Sequence, residues 1–213
     1  MFAVNFFSIV QAIYRFFVSS THRWNVLKQN TNDKNVVKSL SDTHWEAHAV
    51  ATGALFNSYN KVINCILEKD ETQKGETKTD ATHLADKMQE FEFSFMLCLW
   101  CEILSKFRNT SQALQAETLN LSTCSNLYFS LSKSVSLYRD QFNEMEDKAK
   151  TILPDCDYKA AKSRKIKRKK QHNDGAAEEI ILIPRDSFCI KTYNVIVDKL
   201  VSSSSFYVSS VGD

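Results

Sequence analysis

The sequence predicts a mainly α-helical protein, and three observations carry that prediction. Only 4 Gly and 2 Pro occur in 213 residues. That is too few turn formers for an all-β sandwich or barrel, which turns roughly every 8–12 residues. Apolar residues recur at spacings of three and four over long stretches. The content of 43% hydrophobic and 24% charged residues is that of a folded chain, long enough for one domain or two small ones.

The first stripe is Phe2, Phe6, Ile9, Ile13, Phe16 and Phe17, at helical spacing. Asn5, Ser8, Gln11 and Arg15 interrupt the apolar character, no cation precedes it and no small-residue cleavage site follows. The segment therefore reads as an amphipathic helix, neither a signal peptide nor a membrane span. So aromatic a face calls for a partner surface. Ser19–Thr21 breaks the pattern, and His22–Leu27 forms a short second helix. Residues 29–39 are a polar loop. A long helix then follows, with Asp42 or Thr43 as its N-cap and a face of Trp45, Ala49, Thr52, Leu55, Phe56, Tyr59, Val62, Ile63 and Ile66. If unbroken over 45–69, it runs about 37 Å.

Residues 70–80 are a charged link containing Gly75. Leu84, Met88, Phe91, Phe95, Leu99, Ile103 and Phe107 mark a second long helix, ended at Thr110-Ser111. A third covers roughly 112–152, with Cys124, Leu127, Leu131, Val135, Tyr138, Phe142 and Met145 on one face, and Pro154 stops it. Residues 178–183 (EEIILI) are the only credible strand. Pro184 opens a last helix carrying Phe188, Tyr193, Ile196, Val197 and Leu200, and 202–213 reads as an unstructured tail. The predicted organisation is thus 1–28, a loop at 29–39, an all-α domain at 40–153, a basic linker at 154–177, a strand and helix at 178–201, and the tail.

Net charge is +2, but residues 159–170 (KAAKSRKIKRKK) hold eight cations and no acid, and the remaining chain has 19 basic against 25 acidic residues. Lys162, Arg164, Lys165, Lys167, Arg168, Lys169 and Lys170 form the dense part of this run. Such a run suits either nuclear targeting or phosphate contact, with steep salt dependence, or a solvated linker. No aromatic residue is interleaved, so base stacking there is not implied.

The remaining constellations carry little chemistry. Gly53, Gly75, Gly175 and Gly212 are too scattered for a phosphate-binding or dinucleotide-binding turn, and no GxSxG elbow exists. Cys98-x-x-Cys101 lies mid-helix with no second ligand pair, so both read as core or boundary cysteines. The six cysteines read as reduced thiols of an intracellular protein. His44-x-Glu46-x-His48 places its carboxylate wrongly for the HExxH zinc motif. Asp70, Glu71, Glu76 and Asp80 sit in a polar link with no apolar pocket to shift them. No metal, cofactor or small-molecule substrate is expected.

Several blocks, in order, resemble the hAT-superfamily transposases: FFSIVQAIYRFFVSSTHRWNVLK (6–28), KSLSDTHWEAHAVATGAL (38–55), KDETQKGET (69–77), RDQFNEMEDKAKTILPD (139–155), KSRKIKRKKQHNDG (162–175) and IPRDSF (183–188). The nearest group is that of the copies labelled zinc finger MYM-type protein 1-like or TTF-type zinc-finger proteins. The resemblance spans about residues 2–200. It implies an RNase H-like core interrupted by a helical insertion domain, with residues 2–18 as the last helix of the core's first half and about 40–200 as most of the insertion. The three catalytic acids would then lie before Met1 and beyond Asp213, so the expectation is a catalytically inactive segment with no two-metal site.

The resemblance also assigns a site. The insertion domain of these enzymes begins with Thr-Arg-Trp, whose Trp stacks on a displaced base of hairpin DNA. The matching residues are Thr43, His44 and Trp45, with His44 in place of the guanidinium. On position alone, Trp45 just after a cap reads as a core residue. The resemblance implies instead a partly exposed residue able to stack, worth about 1–3 kcal/mol per base, and, without the catalytic core to deliver DNA, a leftover of that role. It further implies that the first helix packs against a sheet lying outside this sequence, and hence that residues 1–28 dock poorly or self-associate. Two other readings stand beside the inactive one. One is an exapted nuclear DNA- or protein-interaction module, binding DNA weakly and without sequence preference. The other is the insertion domain of a longer, active transposase.

Overall fold

The computed structural model describes residues 2–31, 35–41, 45–68, 75–116, 119–159 and 183–209. Among them every regular element is a helix and no strand forms. In chain order these are α1 (Phe2–Val18), α2 (Thr21–Asn30), α3 (Trp45–Leu67), α4 (Gly75–Met88), α5 (Phe91–Leu114), α6 (Leu121–Ser136), a 3-10 turn at Leu137–Asp140, α7 (Phe142–Ile152), α8 (Pro184–Phe188), a π turn at Cys189–Tyr193 and α9 (Asn194–Ser209).

Helix α5 is the centre. Phe91, Phe93, Phe95, Met96, Leu97, Cys98, Leu99, Trp100, Ile103 and Leu104 are all buried, so the N-terminal half of this helix is enclosed nearly all round. Helix α3 packs on one side of it and α7 on another. The core continues without a break from Phe6 in α1 to Val197 in α9. Aromatic rings fill its C-terminal half: Phe95 meets Phe142 at 5.2 Å, Phe188 at 5.1 Å and Tyr193 at 5.6 Å between centroids. The contacts with Phe188 and Tyr193 are edge-on, a geometry favourable beyond simple burial.

Local chemistry sets the helix ends. Ser20 caps α2 by accepting from the Arg23 N–H at 3.4 Å. Asn120 caps α6 by accepting from the Thr123 N–H at 2.8 Å. Pro184 starts α8, where its missing N–H costs nothing. Helix α3 is kinked at Ser58 (φ −121°, ψ 15°). The Ser58 hydroxyl lies 2.7 Å from the Ala54 carbonyl and 3.0 Å from that of Asn35, so it competes with the helix ladder and ties the helix to the preceding loop.

Several boundaries differ from the sequence reading. The long stripe from Leu84 to Phe107 is shared by two helices, because Glu90 is extended (φ −72°, ψ 131°) and separates α4 from α5. Helix α4 begins at Gly75, inside the segment read as a link. Thr110-Ser111 does not stop α5, which reaches Leu114; neither residue costs a helix as much as Gly or Pro does. The third helix is divided by the 3-10 turn. The division redirects one apolar stripe, with α6 packed mainly against α9 and also against α5, and α7 against α5. The last helix runs to Ser209, past the start of the expected tail. Of the expected strand, Ile183 is the extended residue before α8 and 178–182 lie outside the described residues.

The expectation for α1 is also corrected. Phe6, Val10, Ile13, Phe16 and Phe17 are buried, so the helix does not present a bare aromatic face. Its partners lie within the chain. Phe6 packs on Phe93 at 5.2 Å, Phe7 packs on Trp100 at 5.1 Å, and Arg23 of α2 covers the Phe16 ring at 4.2 Å. No helix among the described residues is long and apolar enough to cross a membrane.

Candidate functional site

Trp45 is the first residue of α3 and is 63% exposed, so its position after the cap does not make it a core residue. It is nevertheless ordered by neighbours. Its ring lies parallel to Phe107 of α5, 6.1 Å away with an 18° interplanar angle. His48, one turn along α3, sits 6.2 Å from the Trp45 ring and takes the edge of Phe7 at 5.0 Å. The rest of the Trp45 ring is open to solvent, and Phe107, His48 and Phe7 link it to the core. Flat, solvent-facing rings of this type accept bases irrespective of sequence.

An ion pair flanks the stack. Arg108 Nε lies 3.2 Å from Glu46 Oε1, with the two side chains 41% and 61% exposed. The rings at 45 and 107 and the charges at 46 and 108 are therefore successive rungs of one crossing between α3 and α5. Lys106, the other nearby cation of α5, is turned to the Tyr138 ring at 4.5 Å.

Of the sequence-predicted site residues, the structure places Trp45 only. Thr43 and His44 lie outside the described residues, as do Lys162, Arg164, Lys165, Lys167, Arg168, Lys169 and Lys170. Lys159, at the start of the basic run, is described. Its ammonium pairs with Glu90 and its backbone N–H donates to Glu92 Oε1 at 2.8 Å. Sequence reasoning missed Glu46 and Arg108 as neighbours. Nothing in their spacing signals that residues 62 apart meet in pairs.

A second concavity, of about 750 Å³, lies between α1, α4, α5 and α8. Its floor is apolar, with Phe6, Ile9, Phe93 and Phe188, and Lys87, Glu90 and Lys159 stand at its edge. These charges already satisfy one another. Burial alone would raise the Glu90 carboxyl, but hydrogen bonds from Lys159 and Lys87 outweigh it and hold the group below the usual carboxylate value.

Cys98 is buried and Cys101 half-buried, and all six cysteines are free thiols. Among the described residues no group of three or more His, Cys, Asp or Glu is close enough to hold a metal ion. No protein-family model, no curated protein and no solved structure matches this chain.

Proposed function

We propose that this chain is the helical insertion domain of a hAT-type transposase-derived protein. In this reading it holds an unpaired base on Trp45 and does not cut strands itself. The observation that supports it most is the exposed Trp45 ring stacked on Phe107. A tryptophan left open to solvent while its other surroundings are packed has the form of a stacking platform. The ordered sequence blocks that resemble these transposases supply the family context. The active chemistry of such enzymes needs carboxylate-held metals, which this segment is not proposed to supply.

The test is tryptophan emission on titration with hairpin DNA carrying an unpaired base at its tip, against plain duplex of the same composition. Quenching by the first, lost in Trp45→Phe, is the expected result. Equal behaviour of the two DNAs, or quenching that survives the substitution, overturns the reading. Metal-dependent nicking by the purified chain would overturn the inactive assignment.

The eight cations of residues 159–170 favour a second reading, a nuclear module that binds nucleic acid weakly through phosphates. Neutralising Arg164 to Lys170 should then abolish both nuclear accumulation and most of the salt dependence of DNA binding. The third reading, an insertion domain within a longer active enzyme, requires coding sequence for the catalytic acids on both sides of this segment.

A further inference from the structure

We propose that Arg108 is the phosphate-contacting cation of the Trp45 platform, and that Glu46 holds it until a nucleic-acid phosphate displaces the carboxylate. The inference rests on the stacking reading of Trp45.

Two observations point to it. The first is placement. Arg108 follows Phe107, the ring beneath Trp45, and Glu46 follows Trp45 itself, so the charge pair is fixed to the same crossing as the stack. A nucleotide whose base lies on Trp45 brings a phosphate to the vicinity of that pair, because base and phosphate are covalently joined. The second is exchangeability. Both partners are substantially exposed at a separation of 3.2 Å, so the pair opens at little cost. The contact uses Nε, and a guanidinium carries further N–H donors in a fork that fits phosphate oxygens. Lys106, the other cation in this part of α5, stands over Tyr138 instead.

Glu46 then acts as an internal competitor. Its carboxylate occupies Arg108 in the free protein and opposes the approach of a phosphate. Removing that charge should strengthen binding, whereas removing Arg108 should weaken it. This opposition is the signature of the arrangement, since general loss of packing would weaken both.

The experiment measures tryptophan quenching of the full chain by a short single-stranded oligothymidylate across a range of salt concentrations. Expected are several-fold weaker binding by Arg108→Gln, with the log–log salt slope reduced by about 0.7 for the one lost phosphate contact, and several-fold tighter binding by Glu46→Gln. Circular dichroism confirms that both variants are folded. The inference is overturned if Arg108→Gln keeps the parent affinity and slope, or if Glu46→Gln binds no tighter. If that happens while Trp45→Phe still loses quenching, the stacking reading survives alone. If the parent chain is not quenched at all, both fall together.

Discussion

Arg185 grips Glu146 across 39 residues of sequence: its Nε lies 3.0 Å from both carboxylate oxygens, and its terminal nitrogen NH2 lies 2.8 Å from Oε2. The Glu146 side chain is only 8% exposed. The same guanidinium reaches Asn143 at 2.6 Å and stands 5.0 Å over the Phe142 ring. One residue thus ties α8 to α7. Lys150 adds a weaker contact to Glu146 at 3.6 Å.

Replacing Arg185 by Leu should therefore destabilise the fold by about 1–3 kcal/mol, the cost of leaving a mostly buried carboxylate without its main partner. The figure stays at that level because Arg185 itself is partly exposed and screened. Urea denaturation at neutral pH measures it. Arg185→Lys should recover only part, since an ammonium cannot reproduce the fork.

The same pair fixes a pH dependence. Burial alone would raise the Glu146 carboxyl. Hydrogen bonds from Arg185 and the charges of Arg185 and Lys150 outweigh that and hold it below the usual carboxylate value. A carboxyl lowered on folding contributes stability at pH above its unfolded value of about 4.3. That contribution is lost as pH falls through the lower, folded value. Arg185→Leu should flatten this acid limb of the stability curve. An unchanged limb would mean that Glu90, lowered by Lys159 and Lys87, accounts for it instead.

Phe95→Ala should cost about 3–5 kcal/mol, the usual range for truncating a buried aromatic side chain. Phe95 is fully buried and touches the rings of Phe91, Phe142, Phe188 and Tyr193, which belong to four separate elements. Phe56→Ala in α3 serves as the contrast, because that ring is exposed and should cost far less. Comparable losses from both would contradict the placement of the core in α5.

Thiol labelling separates the cysteines by burial. The Cys98 thiol is pushed up to about 12, first by burial and then by the charges of Cys101 and Glu102. Burial, with help from Glu68, also raises Cys65. Since the thiolate is the reacting species, both should label at neutral pH only as fast as the chain opens. Labelling of either at the rate of Cys124, which is half-buried, would show that α3 or α5 is not packed as described.

The helical class was legible because Gly and Pro are scarce and the apolar spacing is long. Element ends were less so, for definable reasons. Glu90 leaves the helix as an extended residue clamped by Lys87 and Lys159, and lysines three residues before and 69 residues after it give no local signal. The division near Tyr138 depends on a change of packing partner, which periodicity within one strip cannot register. Helix α1 was expected to lack a partner because its partners, Phe93 and Trp100, lie some 90 residues away. Trp45 was identified by resemblance, whereas Arg108 and Glu46 emerge only when α3 and α5 are laid side by side. Thr43, His44 and residues 160–170 of the basic run lie outside the described residues.

The burial of α1 predicts slow amide exchange between Phe6 and Phe17, in the same range as α5, since an amide held in a packed helix exchanges only when that unit opens. Exchange of α1 at the rate of an unstructured peptide would restore the view of a poorly docked helix.

Trp45 should be separable from stability altogether. Its ring contacts Phe107 and His48 and is mostly open to solvent. Trp45→Phe should therefore lower stability by no more than about 1 kcal/mol, the upper range for one aromatic pair. Trp100→Phe should cost more, because that indole is buried against Phe7. Emission gives an independent check. Of the three tryptophans, Trp45 faces solvent, Trp24 is half-buried and Trp100 is buried. Removing Trp45 should shift the emission maximum to the blue, because the exposed emitter is lost and the buried one remains. A red shift or no shift would place Trp45 inside the protein, where no base could reach it, and would remove the support for the stacking site without any nucleic acid being added.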